Sequence, residues 1–118
     1  FDVWDDPMSL GRQRVEVTAA DEGKSKGGDK MMTLTLRRVG SREEIVDRIM
    51  GSGGGAQLGV KKLRGLGVKK EDLPINAGFL IGRSCYINVG EQMYNGEMQP
   101  AVVGAYEVDT EPLPETPF

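Results

Sequence analysis

Two stretches of polar–apolar alternation, Arg12-Gln-Arg-Val-Glu-Val-Thr-Ala and Met31-Met-Thr-Leu-Thr-Leu-Arg-Arg-Val, bracket a decapeptide without one apolar side chain. A period of two belongs to half-buried strands, so the pair predicts a β-hairpin. Val15 and Val17 face inward on the first strand, and Met32, Leu34 and Leu36 on the second. Arg14, Glu16, Thr18, Met31, Thr33, Thr35 and Arg37 face outward. The segment between, residues 21–30, holds three glycines and three lysines (Lys24, Lys26, Lys30) and is expected as a long exposed tip.

Residues 41–50 admit two readings. Ile45, Val46, Ile49 and Met50 have helical spacing, and Ser41 with Glu44 matches a capping box. As a strand, the same segment puts Ile45, Asp47 and Ile49 on one side and Val46, Arg48 and Met50 on the other. Gly51-Ser-Gly-Gly-Gly is a flexible break. Ala56 to Leu66 then predicts a short amphipathic helix with a basic face, closed by Gly67 in the left-handed region. Phe79 to Val89 alternates again, with Cys85, Ile87 and Val89 inward and Ser84, Tyr86 and Asn88 outward. A second hairpin loop is expected over residues 90–100, and a last strand from Ala101 to Glu107. With residues 41–50 as a strand, the chain has five short strands and one helix between the third and fourth. That order is the plan of the oligonucleotide-binding (OB) barrel, so the expected fold is mainly β: a five-stranded OB-fold barrel with one α-helix between strands 3 and 4.

Length and composition allow one domain: 118 residues, 38% hydrophobic. No apolar run approaches a membrane span, and nothing at the start resembles a signal peptide. The chain opens on Phe1 rather than Met, as a trimmed sequence would. With one cysteine, Cys85, and no histidine, a structural zinc site, a His-based triad and imidazole acid–base catalysis are excluded by inventory. The lone thiol points to a reducing cytoplasm.

Charge is divided along the chain. All 15 Lys and Arg lie between Arg12 and Arg83, whereas three of the 18 carboxylates (Asp2, Asp5, Asp6) precede them and four (Glu107, Asp109, Glu111, Glu115) follow. Residues 7–106 therefore carry +4 within a chain of net charge −3. A basic body attracts polyanions by releasing their counterions, and a tethered acidic segment competes for the same surface. The division expected is an N-terminal extension over 1–8, the OB domain over 9–107 and an acidic Pro-rich tail over 108–118. That tail reads either as a solvated end or as a peptide offered to a partner.

With these residues placed, the chain resembles a family of small phage-encoded OB-fold proteins that bind single-stranded DNA. The resemblance runs from about Met8 to Glu107. It rests on Gly-Arg-x-Arg-Val-x-Val in the opening strand, the Lys-Ser-Lys-Gly-Gly tip, Val46-Asp-Arg-Ile-Met, the helix Leu58 to Gly67, Gly82-Arg-Ser-Cys-Tyr-Ile-Asn-Val and Val102-Val-x-x-Tyr. In that pattern Val46 to Arg48 is strand, which decides residues 41–50. The Glu-Thr-Pro-Phe ending is similar to the Pro-Phe-terminated tip of bacterial single-stranded DNA-binding proteins. That likeness implies recruitment of replication or repair partners through Pro117 and Phe118.

The resemblance implies sequence-independent binding of single-stranded DNA in replication, recombination or repair, without a cofactor and without enzymatic activity. A naked strand needs cations along its backbone and flat groups on which bases stack. The candidates are Lys24, Lys26, Lys30, Arg37 and Arg48 for phosphates, and Tyr86, Tyr94 and Trp4 for bases. Each aromatic has a packing role as its alternative. Tyr106 and Phe79 are assigned to the core, and Arg12, Arg14, Lys61, Lys62 and Arg64 to an ordinary solvated face. The competing motif is Gly51-Ser-Gly-Gly-Gly-Ala, a literal dinucleotide fingerprint, set aside because antiparallel hairpins flank a single helix. The rival functions are a structural or adaptor barrel of a virion or protein complex, and an RNA-binding OB domain. The sequence leaves homo-oligomerisation open.

Overall fold

The computed structural model describes residues 10–109, except for the side chain of Tyr94. Six strands and one helix follow in the order β1 (Gly11–Lys24), β2 (Lys30–Arg38), β3 (Glu44–Met50), α1 (Ala56–Gly65), β4 (Ser84–Tyr94), β5 (Glu97–Val102) and β6 (Glu107–Val108). All pairings are antiparallel, in the order β3-β2-β1-β4-β5, with β6 also on β4. The architecture is therefore mainly β, as the alternation requires.

β1 serves two partners. Its first half, Gly11 to Glu16, pairs with β4, and Val15 to Lys24 pairs with β2. An irregularity between Val17 and Ala19 lets it turn from one to the other. Val15, Val17, Leu34, Leu36, Cys85 and Ile87 are buried to within 1% of complete, and Ile45, Ile49, Leu66, Leu80 and Val89 complete the interior. Each such aliphatic side chain contributes about 1.5–3 kcal/mol on leaving water.

Residues 41–50 are strand, and all seven residues of β3 pair with β2. The helical spacing loses because the strand buries Ile45 and Ile49 while its backbone joins the ladder. Ser41 does not cap a helix; its hydroxyl accepts from Glu43 N–H. The basic tip is tighter than the apolar-free decapeptide suggests. Ladder bonds extend to the Lys24–Lys30 pair, and Gly28 N–H to Ser25 C=O closes the turn. Strand pairing satisfies backbone groups whatever the side chains are.

The second hairpin also differs from expectation. β4 begins at Ser84 and runs to Tyr94, β5 starts at Glu97, and Asn95-Gly96, both at positive φ, form the turn. Phe79 is not core: it sits in a 3-10 turn, 40% exposed, with the Arg83 guanidinium 4.4 Å from its ring centre. Leu80 fills the interior instead.

The sheet is not a closed five-stranded barrel. β3 and β5 approach within 8 Å between Cα atoms but share no ladder. Side chains bridge this side of the molecule. Lys62 of α1 is only 7% exposed; its Nζ donates to Asp47 Oδ2 (2.8 Å) and Arg48 C=O (2.9 Å) and lies 5.5 Å from the Tyr106 ring centre. The Tyr106 hydroxyl donates to the same Asp47 oxygen. Burial, then the Asp47 charge and hydrogen bond, push the Tyr106 pKa far up, so the phenol keeps its proton. Helix, β3 and the segment before β6 are thus tied by three polar groups.

α1 consequently presents an unexpected face. The buried positions are Gly59, Lys62 and Gly65, while Leu58 and Val60 are exposed. Close approach selects the glycines. A Cβ at Gly59 would lie 2.1 Å from Met50 O, and one at Gly65 would lie 2.5 Å from the Tyr106 backbone. Lys62, expected on the solvated face, can be buried because its charge is fully partnered.

Candidate nucleic-acid interface

The register sorts outward side chains into two fields. On β2 and β3, Met31 stands opposite Met50, Thr33 opposite Arg48, Thr35 opposite Val46 and Arg37 opposite Glu44. Beyond Met31 the β1–β2 hairpin ends with Lys24 facing Lys30 and Lys26 exposed in the turn. Lys24, Lys26, Lys30 and Arg48 make no ion pair among the described residues. Lys24 and Lys30 face each other across the ladder, a mildly unfavourable like-charge pair.

The other field spans β1, β4 and β6, and there the charges are matched. The Arg12 guanidinium lies 4.1 Å from the Tyr86 ring centre and pairs with Glu107 at 2.8 Å. Arg14 Nε and the Ser84 hydroxyl both donate to Asp109 Oδ2 at 2.8 Å. Arg37 pairs with Glu16 at 2.9 Å. Arg12 and Arg14, read from sequence as solvated, thus join Tyr86 and Arg37 in a network that includes the start of the acidic segment. Beneath it, burial, then the charges of Asp109 and Asp47, push the Cys85 thiol up to about 12. It stays neutral and unreactive.

Of the residues expected to meet nucleic acid, the structure brings together Lys24, Lys26 and Lys30 at the tip, with Arg48 on the adjoining sheet face, whereas Arg37 lies at the other end of β2 and is paired with Glu16. Tyr86 lies across β1 from them, under Arg12. Tyr94 is the last residue of β4, opposite Glu97, in an arm whose charged residues are Glu91 and Glu97 and which has no cation. Trp4, Pro117 and Phe118 lie outside the described residues. The sequence reading already put Met31 outward and grouped Val46 and Met50 with Arg48; what it could not give is the pairing of Met31 with Met50 and of Thr35 with Val46. Cross-strand register depends on how the strands pair and is not carried by either strand's own pattern.

The glycine run is not arranged for a phosphate. The Ser52 hydroxyl accepts from Lys30 N–H (2.9 Å), and the Asp29 carboxylate stands 2.5 Å from where a Gly53 Cβ would be. An acidic side chain already occupies that approach. Among the described residues, no three or more His, Cys, Asp or Glu group to hold a metal, and no helix is long and apolar enough to cross a membrane.

No protein-family model and no curated protein sequence matches the chain.

Proposed function

We propose that this chain is an OB-type protein that binds single-stranded DNA without strong sequence preference, in phage or bacterial replication, recombination or repair. The strand order β3-β2-β1-β4-β5 with a helix between β3 and β4 supports the OB reading, here with an open seam. The observation that carries the function is the sorting of cations. Those on β1 have acidic partners, whereas Lys24, Lys26, Lys30 and Arg48 have none among the described residues and flank a β2–β3 face that carries Thr33, Thr35 and Val46. The strand therefore runs from the hairpin tip across β2 and β3, and Tyr86 lies off its path.

Fluorescence titration with oligo-dT at two salt concentrations tests this. Four neutralised phosphates at roughly −0.7 each give a log–log salt slope near −3, hence about a 50-fold loss of affinity between about 50 and 200 mM salt. Replacing Lys24, Lys26 and Lys30 together with Ala should flatten the slope to about −0.7. An unchanged slope would place the nucleic acid elsewhere. Tyr86→Ala should leave affinity within about twofold, against the roughly 1–3 kcal/mol expected of a stacking residue. Tighter binding to oligo-rU would favour the RNA-binding reading.

A protein-adaptor barrel remains the second reading because the cation-free β4–β5 arm, with exposed Met93, Met98, Glu91 and Glu97, suits a protein surface better than a polyanion. An adaptor would show no salt-dependent quenching.

A further inference from the structure

We propose that the β4–β5 arm of one copy of this chain docks into the cleft between α1 and residues 68–73 of a second copy, a self-association through unlike surfaces. Beyond the Val89–Val102 pair, β4 and β5 continue as a two-stranded ribbon closed by Asn95-Gly96. Residues 91–93 and 95–99 are all exposed, so the ribbon has no cover on either face. Two strands alone are marginally stable in water, and this pair also holds apolar side chains out to solvent. Met93 and Met98 face each other across the ladder, 61% and 54% exposed. By the period of two, Glu91 and Pro100 share their face, while Glu97 stands near the tip on the other. Residues 90–102 contain Glu91 and Glu97 and no Lys or Arg, and neither carboxylate has an ion pair among the described residues.

The cleft has the opposite character. It encloses about 330 Å³, with Val60, Leu63 and Leu73 as its apolar lining and Val60 and Leu73 about half exposed. Arg64, Lys69 and Lys70 also line it, and none of them has an ion pair among the described residues. Glu71 and Asp72 follow in sequence but do not line the cleft, and Asp72 Oδ2 accepts from Lys69 N–H. Adaptable methionines flanked by carboxylates thus match aliphatic side chains flanked by cations. Arm against arm would instead bring Glu91 and Glu97 against their own kind. Because the arm is exposed, it is not seated in the cleft of its own chain, so the cleft it fills belongs to another copy. Lys24, Lys26, Lys30 and Arg48 belong to neither surface, and the inference does not rest on nucleic-acid binding.

Sedimentation equilibrium of the full chain, freed of nucleic acid, tests this over rising protein concentration. A contact of this size is of the weak, transient class, so the apparent mass should climb above that of the monomer at the upper end of the series. Glu91→Lys/Glu97→Lys reverses the arm and Lys69→Glu/Lys70→Glu reverses the cleft, and none of the four is a core residue. Each variant alone should associate more than about tenfold more weakly, because like charges then meet. Mixed in equal amounts, the two should associate again, since each arm finds a cleft of opposite charge on the other variant. Three results would overturn the proposal. A monomer at every concentration would mean that the arm meets a different protein or none. Association that survives reversal of the cleft would mean that arms pair with each other. A mixture no heavier than its separate components would mean that arm and cleft do not meet.

Discussion

Replacing Lys62 with Met tests whether a polar bridge, rather than a ladder, holds the open side of this sheet together. Met matches the length of the lysine stem and keeps its packing, so the change isolates the ammonium. In the variant, Asp47 Oδ2 keeps only the Tyr106 hydroxyl, and Arg48 C=O loses the Lys62 donor. Removing one partner of a buried ion pair costs about 3–5 kcal/mol, mostly the penalty of the carboxylate left behind. With about 4–8 °C of Tm per kcal/mol in a domain of this size, the midpoint should fall by at least about 12 °C. Asp47→Asn alone should also destabilise, whereas the double variant should recover part of the loss, with a coupling of about 0.5–3 kcal/mol. Thermal unfolding by circular dichroism gives the cycle, and hydrogen exchange should show the amides of β3 losing protection first. A Tm drop below about 4 °C, or strictly additive single effects, would show that the bridge contributes little. In that case packing of α1 alone would hold the seam.

Gly59→Ala and Gly65→Ala should each destabilise by about 1–3 kcal/mol or more, because the new methyl meets backbone rather than a movable side chain. Chemical denaturation measures this; a stabilised Gly59→Ala would mean that helix propensity outweighs the contact with Met50. Alkaline unfolding follows from Cys85 and Tyr106, whose pKa values are raised above their ordinary 9.0 and 10.0. Folded pKa values above unfolded ones mean stability fully present below pH 9.0 and lost as pH rises from there towards about 12, at up to roughly 1.4 kcal/mol per unit for each group. Cys85→Ser should remove the part of this loss that begins near pH 9.0, read from urea unfolding at stepped pH.

Much of the fold was legible because period-two alternation is a local property. Val15, Val17, Leu34, Leu36, Cys85, Ile87 and Val89 are all inward as their spacing requires. Gly67 ends the helix at positive φ, again a local rule. The second hairpin was legible but misread: Asn95-Gly96 between alternating residues is a strong two-residue turn signal, outweighed by the polar composition around it. Phe79 was misplaced because hydrophobicity says that a ring prefers cover, not whether the core or an arginine provides it.

The strand pattern, the inward aliphatic set, the helix after β3 and the lysine-bearing hairpin tip all follow from neighbours a few positions apart, and so could be read from the chain alone. Which charges are matched became fixed with the folded arrangement. Arg14 meets Asp109 across 95 positions and Asp47 meets Tyr106 across 59, so no local pattern could reveal that Arg12 covers Tyr86 or that Lys62 lies inside. Coulomb and hydrogen-bond energies depend on distance in space and on exclusion of water, and both exist only once the strands have been brought into register.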